Sequence, residues 1–160
     1  MKVAGDWNTY VLTHIYNSPG VRRAAEAGVR TIEHANLIDP ETLELMKDRG
    51  AWLSPQVSVY VQDPPGPAPT TKKKFAQARE GLDTLFTPAK KTGFDRIGFG
   101  SDIISVPGTL AKINEKFVHR TKWFSPAEVL RQATAPPTGP TWPGKRSVPA
   151  KTLDLMDDQP

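Results

Sequence analysis

The sequence predicts an α/β protein built on a parallel sheet, because one short pattern occurs twice in succession. In each copy an apolar strand leads into a helix that begins with a capping residue and a proline, and glycines end the helices at Gly28 and Gly50. A third apolar segment, residues 51–54, follows the second helix. Strands that alternate with helices in this way are typical of parallel sheets with right-handed crossovers.

The first strands and helices can be placed from their residue types. Residues 10–15 and residues 29–33 are rich in β-branched and other apolar side chains, which favours strands. Ser18 precedes a proline and is predicted to cap the first helix. Asp39 also precedes a proline and is predicted to cap the second helix.

The pattern is then interrupted and resumes further along the chain. Residues 63–69 contain four prolines and are predicted to form a loop, because proline lacks an amide hydrogen. Apolar residues at helical spacing over residues 75–86 predict a helix that ends before Pro88 or near Gly93. Residues 97–100 predict a fourth strand.

The remaining sequence divides into an ordered part and a tail. Residues 110–124 are predicted to be helical, and Ser125 with Glu128 forms the pattern of a capping box at the start of a short helix. We expect residues 1–134 to form one unit. Residues 135–160 hold six of the sixteen prolines without a sustained period, which predicts a disordered tail.

Composition limits the classes of function. The 160 residues are 38% hydrophobic, which permits a buried core, and the net charge of +4 is spread along the chain, so we expect no nucleic-acid partner. The chain contains no cysteine, which excludes disulfides and thiolate metal sites. No apolar run approaches the roughly 20 residues of a membrane span. We therefore expect no membrane partner and a cytoplasmic location.

Three polar side chains follow predicted strands. His14 and His34 close the first two strands, and Asp102 follows the fourth. The carboxyl ends of parallel strands lie at one rim of a sheet or barrel, so these groups are expected to converge. Two neutral imidazoles and a carboxylate suit a divalent metal ion such as zinc.

Other residues near the strand ends have weaker signals. Tyr16, Asn36 and Gln56 lie just past strand ends and are expected to line a substrate pocket, although packing roles are equally compatible with their positions. Glu33 is expected to face away from His34, because successive side chains of a strand point to opposite faces.

Several strings together resemble the amidohydrolase superfamily. They are TIEHANLID at residues 31–39, VLTHIY at residues 11–16, IGFGSD at residues 97–102 and WFSPAEVLRQAT at residues 123–134. The nearest branch resembles the imidazolonepropionase-related enzymes and the Xaa-Pro dipeptidases, which are called prolidases.

The resemblance implies a metal-dependent hydrolase of C–N bonds on a (β/α)8 barrel, with this chain supplying strands five to eight. His14 and His34 would then bind one metal ion, and zinc is the expected metal. Asp102 would belong to the other metal ion, and it would also accept a proton from the attacking water and return it to the leaving amine. The implied substrate is a dipeptide or another small amide.

Some parts of the family pattern are missing from this sequence. The first-strand His-x-His and the fourth-strand lysine have no counterpart and are expected upstream of Met1. A complete barrel takes about 250 residues, so the chain is predicted to be the C-terminal half of a barrel. We expect little activity from it alone, and self-association or a missing N-terminal half as its partner. The alternative is a non-catalytic interaction module with a vestigial metal site.

Overall fold

The computed structural model of the chain describes residues 1–61, 68–102 and 110–134, and its centre is a three-stranded parallel sheet. The strands are β1 (Leu12–Asn17), β2 (Thr31–Leu37) and β3 (Trp52–Ser54), in that spatial order. The helices are α1 (Lys2–Asp6), α2 (Ser18–Glu26), α3 (Pro40–Asp48), α4 (Ser58–Val61), α5 (Pro69–Lys91), α6 (Glu115–Arg120) and α7 (Pro126–Thr134). The predicted tail at residues 135–160 and most of the predicted loop at residues 63–69 lie outside the described residues.

The strand pairing confirms the parallel sheet predicted from the sequence. Leu12 pairs with Thr31, and Thr31 pairs in turn with Trp52. α2 connects β1 to β2, and α3 connects β2 to β3, so a helix lies between each pair of neighbouring strands, as predicted. The architecture is therefore α/β and is consistent with part of a barrel.

The starts of α2 and α3 are joined to each other. Asn17, and not Ser18, caps α2 by accepting a hydrogen bond from the amide of Gly20. The hydroxyl of Ser18 instead accepts from the amide of Asp39 at 2.9 Å. Asp39 caps α3 as predicted, because its carboxylate accepts from the amide of Thr42 at 2.7 Å.

The predicted fourth strand is wrong in its extent. Only Ile97 pairs with the sheet, through a parallel bridge to Leu53. The amide of Gly98 donates to the carbonyl of Leu53 at 2.7 Å, and the amide of Leu53 donates to the carbonyl of Arg96 at 2.9 Å. Gly98 and Gly100 have no side chains to pack, which weakens strand formation beyond this point.

The predicted helix over residues 110–124 is also wrong, because a 3₁₀ turn (Leu110–Lys112) precedes a short α6. Leu110 and Val118 remain 66% and 70% exposed, so little apolar burial supports a continuous helix. α5 passes through Pro88 and ends just before Gly93, which confirms the second of its two predicted ends.

The hydrophobic core lies between the sheet and the helices, where α5 packs on β2. Fully buried side chains from both layers include Ile32, Leu82 and Phe86. Among the described helices, none is both long enough and apolar enough to cross a membrane.

Candidate active site

The histidines of β1 and β2 lie against each other. Nδ1 of His14 is 3.0 Å from Nε2 of His34, and their rings are 5.1 Å apart. His14 is exposed, while His34 is buried with 3% of its surface exposed. The expected convergence of these two side chains is therefore present. The prediction that they close their strands is wrong, because β1 and β2 each continue for three residues beyond the histidine.

A local distortion of β2 makes this meeting possible. His14 pairs in register with Glu33, so regular alternation would place His34 on the opposite face of the sheet. His34 and Ala35 have φ values of 71° and 54°, which lie in the left-handed region. The register between β1 and β2 shifts at the same place, between Ile15 and Asn17. This irregularity turns His34 towards His14.

Glu33, which was expected to face away from His34, lies on the same side of the sheet as that residue, because alternation fails at His34. Its carboxylate accepts a hydrogen bond from the side-chain nitrogen of Gln56 at 2.6 Å. The side-chain oxygen of Gln56 accepts in turn from the backbone amide of His34 at 2.9 Å. Gln56, which was expected to line the pocket, is buried and links the two successive residues of β2.

Two tyrosines hold the ring of His34. The hydroxyl of Tyr60, on α4, lies 2.9 Å from Nδ1 of His34 and 2.7 Å from the hydroxyl of Tyr16. The Tyr16 ring stacks on the His34 ring at a centroid distance of 4.5 Å and an angle of 14°. Sequence reasoning missed Tyr60, for which the only signal was its position shortly after β3.

Burial controls the protonation of this cluster. Desolvation lowers the pKa of His34, although the negative charge of Asp102 opposes this and His14 adds to it. Desolvation also raises the pKa of Tyr60, and its hydrogen bond with Tyr16 raises it further. At neutral pH the site therefore contains a neutral imidazole on His34 and a neutral phenol on Tyr60.

Asp102 lies close enough to act on this cluster electrostatically. Its charge affects the pKa values of both His34 and Tyr60. Its φ of 50° is also in the left-handed region. Strained backbone of this kind is frequent at functional sites and costs about 1–3 kcal/mol per residue.

Asn36 is placed differently from the expectation. It is fully buried, and its side-chain nitrogen donates to the carbonyl of Ala78 on α5 at 2.8 Å. It thus lies between the sheet and the helix layer and not beside the histidines. The closely packed helix supplies a partner for the side-chain nitrogen, whereas Oδ1 of Asn36 is buried without a hydrogen bond among the described residues.

A cavity of about 300 Å³ lies on the face of the sheet opposite the hydrophobic core, because Thr31 and Glu33 line it and alternate with the core residue Ile32. Side chains of all three strands and the glycine-containing segment after Ile97 line it, and they include Leu12, Thr31, Glu33, Ser54 and Phe99.

The distance between the two histidine nitrogens is compatible with two ligands of one metal ion. Two nitrogens bound to tetrahedral zinc at about 2.0–2.1 Å would be roughly 3.3 Å apart. The observed 3.0 Å is close to that value. Within the three described stretches, however, no group of three or more His, Cys, Asp or Glu residues lies close enough to hold a metal ion. The structure thus shows two adjacent candidate ligands and not the three expected from the sequence.

Comparison with known proteins gives the family context. No protein-family model matches the chain. A solved prolidase complexed with N-methylphosphonate-L-proline is similar, with a TM-score of 0.75 and 31% identity over 83% of this chain and 33% of that chain. A solved amidohydrolase is similar with a TM-score of 0.71 and 34% identity, over 82% of this chain and 32% of that one.

The chain corresponds to a fragment of an amidohydrolase-like protein. Ochratoxinase from Aspergillus niger is also similar, with 25% identity over 132 residues, which are 80% of this chain and 27% of the ochratoxinase. The resemblance to amidohydrolases and Xaa-Pro dipeptidases stated from the sequence is thereby confirmed. The amidohydrolase-like chain spans between a quarter and a third of the length of these relatives.

Proposed function

We propose that the chain carries part of the active site of a metal-dependent hydrolase that cleaves an amide or peptide C–N bond. The observation that carries the proposal is the pair of imidazole nitrogens of His14 and His34, which lie 3.0 Å apart on adjacent parallel strands. The proposal includes prolidase-like specificity, which is supported by the similarity to a solved prolidase and by the motifs around His34.

In this proposal His14 and His34 hold the metal ion, which we propose to be zinc. A bound zinc ion would supply Lewis acidity and would lower the pKa of bound water. Burial keeps His34 neutral, which is the form that binds a metal. Gln56 fixes the backbone of His34, and Tyr16 faces the exposed side of the site, where it would contact the substrate.

Asp102 is proposed as the group that moves protons. A carboxylate beside the attacking water can take a proton from it and deliver that proton to the leaving nitrogen. Its electrostatic influence on His34 supports this position near the reacting atoms.

We assign β1, β2, β3 and the segment at Ile97 to strands five to eight of the barrel. The remaining ligands, a His-x-His and a lysine, would come from residues outside this sequence.

The substrate would be a dipeptide or another small amide, and we place the protein in the cytoplasm.

Zinc titration of the metal-free chain by isothermal calorimetry tests the proposal. We expect binding by the parent chain and an affinity at least tenfold lower in His14→Ala and in His34→Ala. His119→Ala is the matched control, because His119 contacts Ser58 and lies outside the pair. Absence of binding by the parent, or equal loss in the control, would contradict the proposal.

The second candidate is a non-catalytic interaction module. The observation that favours it is the lack of a complete metal cluster among the described residues. An assay of dipeptide hydrolysis by the zinc-supplemented chain separates the two functions. Turnover that is above the metal-free blank and is lost in Asp102→Asn supports the hydrolase. Absence of both zinc binding and turnover supports the module, because the partial site of the hydrolase is expected to bind zinc with little turnover.

A further inference from the structure

Tyr60 joins the buried end of the histidine pair to the exposed surface. Its hydroxyl lies between Nδ1 of His34 and the hydroxyl of Tyr16, at 2.9 Å and 2.7 Å. Tyr60 is 3% exposed, whereas Tyr16 is 37% exposed. His14, His34, Tyr60 and Tyr16 therefore form one continuous chain of hydrogen bonds.

We propose that Tyr60 is a positioning residue that fixes the orientation and the tautomer of His34, and that through Tyr60 the hydroxyl of Tyr16 becomes a hydrogen-bond donor towards the substrate. The part of this inference that concerns the metal and the substrate depends on the function proposed above. The part that concerns the tautomer of His34 does not.

Counting the hydrogens shows why the tautomer matters. A neutral imidazole has one N–H and one nitrogen lone pair. When Nε2 of His34 uses its lone pair for a metal ion, its proton must be on Nδ1, and that N–H donates to the oxygen of Tyr60. Outer-shell partners of this type fix the ring of a metal-binding histidine.

The direction of the next hydrogen bond then follows. Because the oxygen of Tyr60 accepts from His34, the Tyr60 hydroxyl donates to the oxygen of Tyr16. The hydrogen of Tyr16 is left to point away from the cluster, towards the exposed side. We infer that it donates to an oxygen of the substrate, either a carboxylate or the carbonyl of the amide.

Packing holds this arrangement in place independently of the hydrogen bonds. The ring of Tyr60 packs edge-on against Phe75 at 5.6 Å, and the ring of Tyr16 stacks on His34. Tyr60→Phe and Tyr16→Phe therefore remove a hydroxyl while they preserve the ring contacts. Tyr10→Phe is the matched control, because Tyr10 is the one other tyrosine in the sequence and lines the cavity instead.

The first measurement is the tautomer of His34 in the metal-free chain, from the ¹⁵N shifts of the ring nitrogens, with His34→Gln used for assignment. We expect one defined tautomer in the parent and in Tyr10→Phe, and a mixture in Tyr60→Phe. A mixture in the parent, or an unchanged spectrum in Tyr60→Phe, would overturn the inference. If Tyr60→Phe does not fold, the parent spectrum and that of Tyr16→Phe decide, and we expect Tyr16→Phe to shift the balance of tautomers.

The second measurement is zinc affinity. We expect a loss of about 10- to 100-fold in Tyr60→Phe, a smaller loss in Tyr16→Phe, and no change in Tyr10→Phe. Parental affinity in a folded Tyr60→Phe chain would show that Tyr60 only fills space. If the parent itself binds no zinc, the proposed function fails, while the tautomer measurement still tests the role of Tyr60.

Discussion

His34 and Ala35 occupy backbone conformations that side chains with a Cβ normally avoid. Their positive φ values bring the buried histidine to the same side of the sheet as His14. For ordinary residues the left-handed conformation costs roughly 1–2 kcal/mol each. The folded chain thus retains an unfavourable local geometry that creates the histidine pair.

Substitutions of Ala35 test this strain. In Ala35→Gly, relief of about 1–2 kcal/mol of strain opposes the loss of a buried methyl group, about 0.8 kcal/mol, and the extra flexibility of glycine. We expect the free energy of unfolding to change by less than about 1 kcal/mol. Ala35→Val should destabilise by about 2 kcal/mol or more, because a β-branched residue at positive φ in a packed core has no room to relax. Urea denaturation measures both changes, and equal stability of the two variants would contradict the argument.

The lowered pKa of Asp39 predicts that the stability of the chain depends on pH. Its hydrogen bonds with Thr42 and Ser18 lower its pKa in the folded chain. The unfolded chain, with an ordinary pKa near 3.9, then binds more protons, so this contribution to stability is present above about pH 4 and is lost as the pH falls below it.

The matched substitutions are Asp39→Asn and Asp39→Ala. Asparagine caps helices about as well as aspartate, whereas alanine should cost about 0.5–2 kcal/mol at pH 7. The melting temperature of the parent should fall more steeply below pH 4 than that of Asp39→Asn. Parallel pH profiles of the two would exclude Asp39 as the source.

Gly81 shows why α5 can pack so closely on β2. A Cβ at this position would clash with the carbonyl oxygen of Asn36. Glycine in a helix normally costs about 1 kcal/mol relative to alanine, so the sequence alone gives no reason to expect it here. The close approach of the two elements explains it.

Gly81→Ala should therefore destabilise the chain, by about 2 kcal/mol, despite the better helix propensity of alanine. Gly5→Ala in α1 is the matched control, because a Cβ there meets nothing within 4 Å. That substitution should leave stability unchanged or raise it by less than about 1 kcal/mol. Thermal unfolding of both variants is the measurement, and a stabilised Gly81→Ala chain would show that the contact relaxes.

The comparison of elements also shows what the sequence could and could not predict. The capping residue Asp39 and the terminal glycines Gly28 and Gly50 are local signals, and they predicted α2, α3 and the strands between them. The rotation of His34 and the position of Tyr60 depend on backbone irregularity and on a four-residue helix, for which periodicity carries no information. The extent of the fourth strand was predicted wrongly, because strand pairing depends on partners far away in the sequence.

The exposed side of the sheet leads to a prediction about assembly. β1 is at the edge of the three-stranded sheet, and Leu12, which lines the cavity, is 50% exposed. Unpaired strand edges next to apolar side chains promote association. We expect the chain to self-associate, and Leu12→Lys to shift it towards the monomer in gel filtration with light scattering. Leu130→Lys, at a leucine that is 55% exposed on α7, is the control and should not change the distribution.

The single bridge between Leu53 and Ile97 has a consequence for motion. Segments with few backbone hydrogen bonds open most readily, so the amides of residues 97–102 should exchange with deuterium faster than those of β1 and β2. A small molecule that contacts both Asp102 and the imidazoles would slow that exchange selectively. Deuterium uptake would thus identify ligands of this site without an assay of turnover.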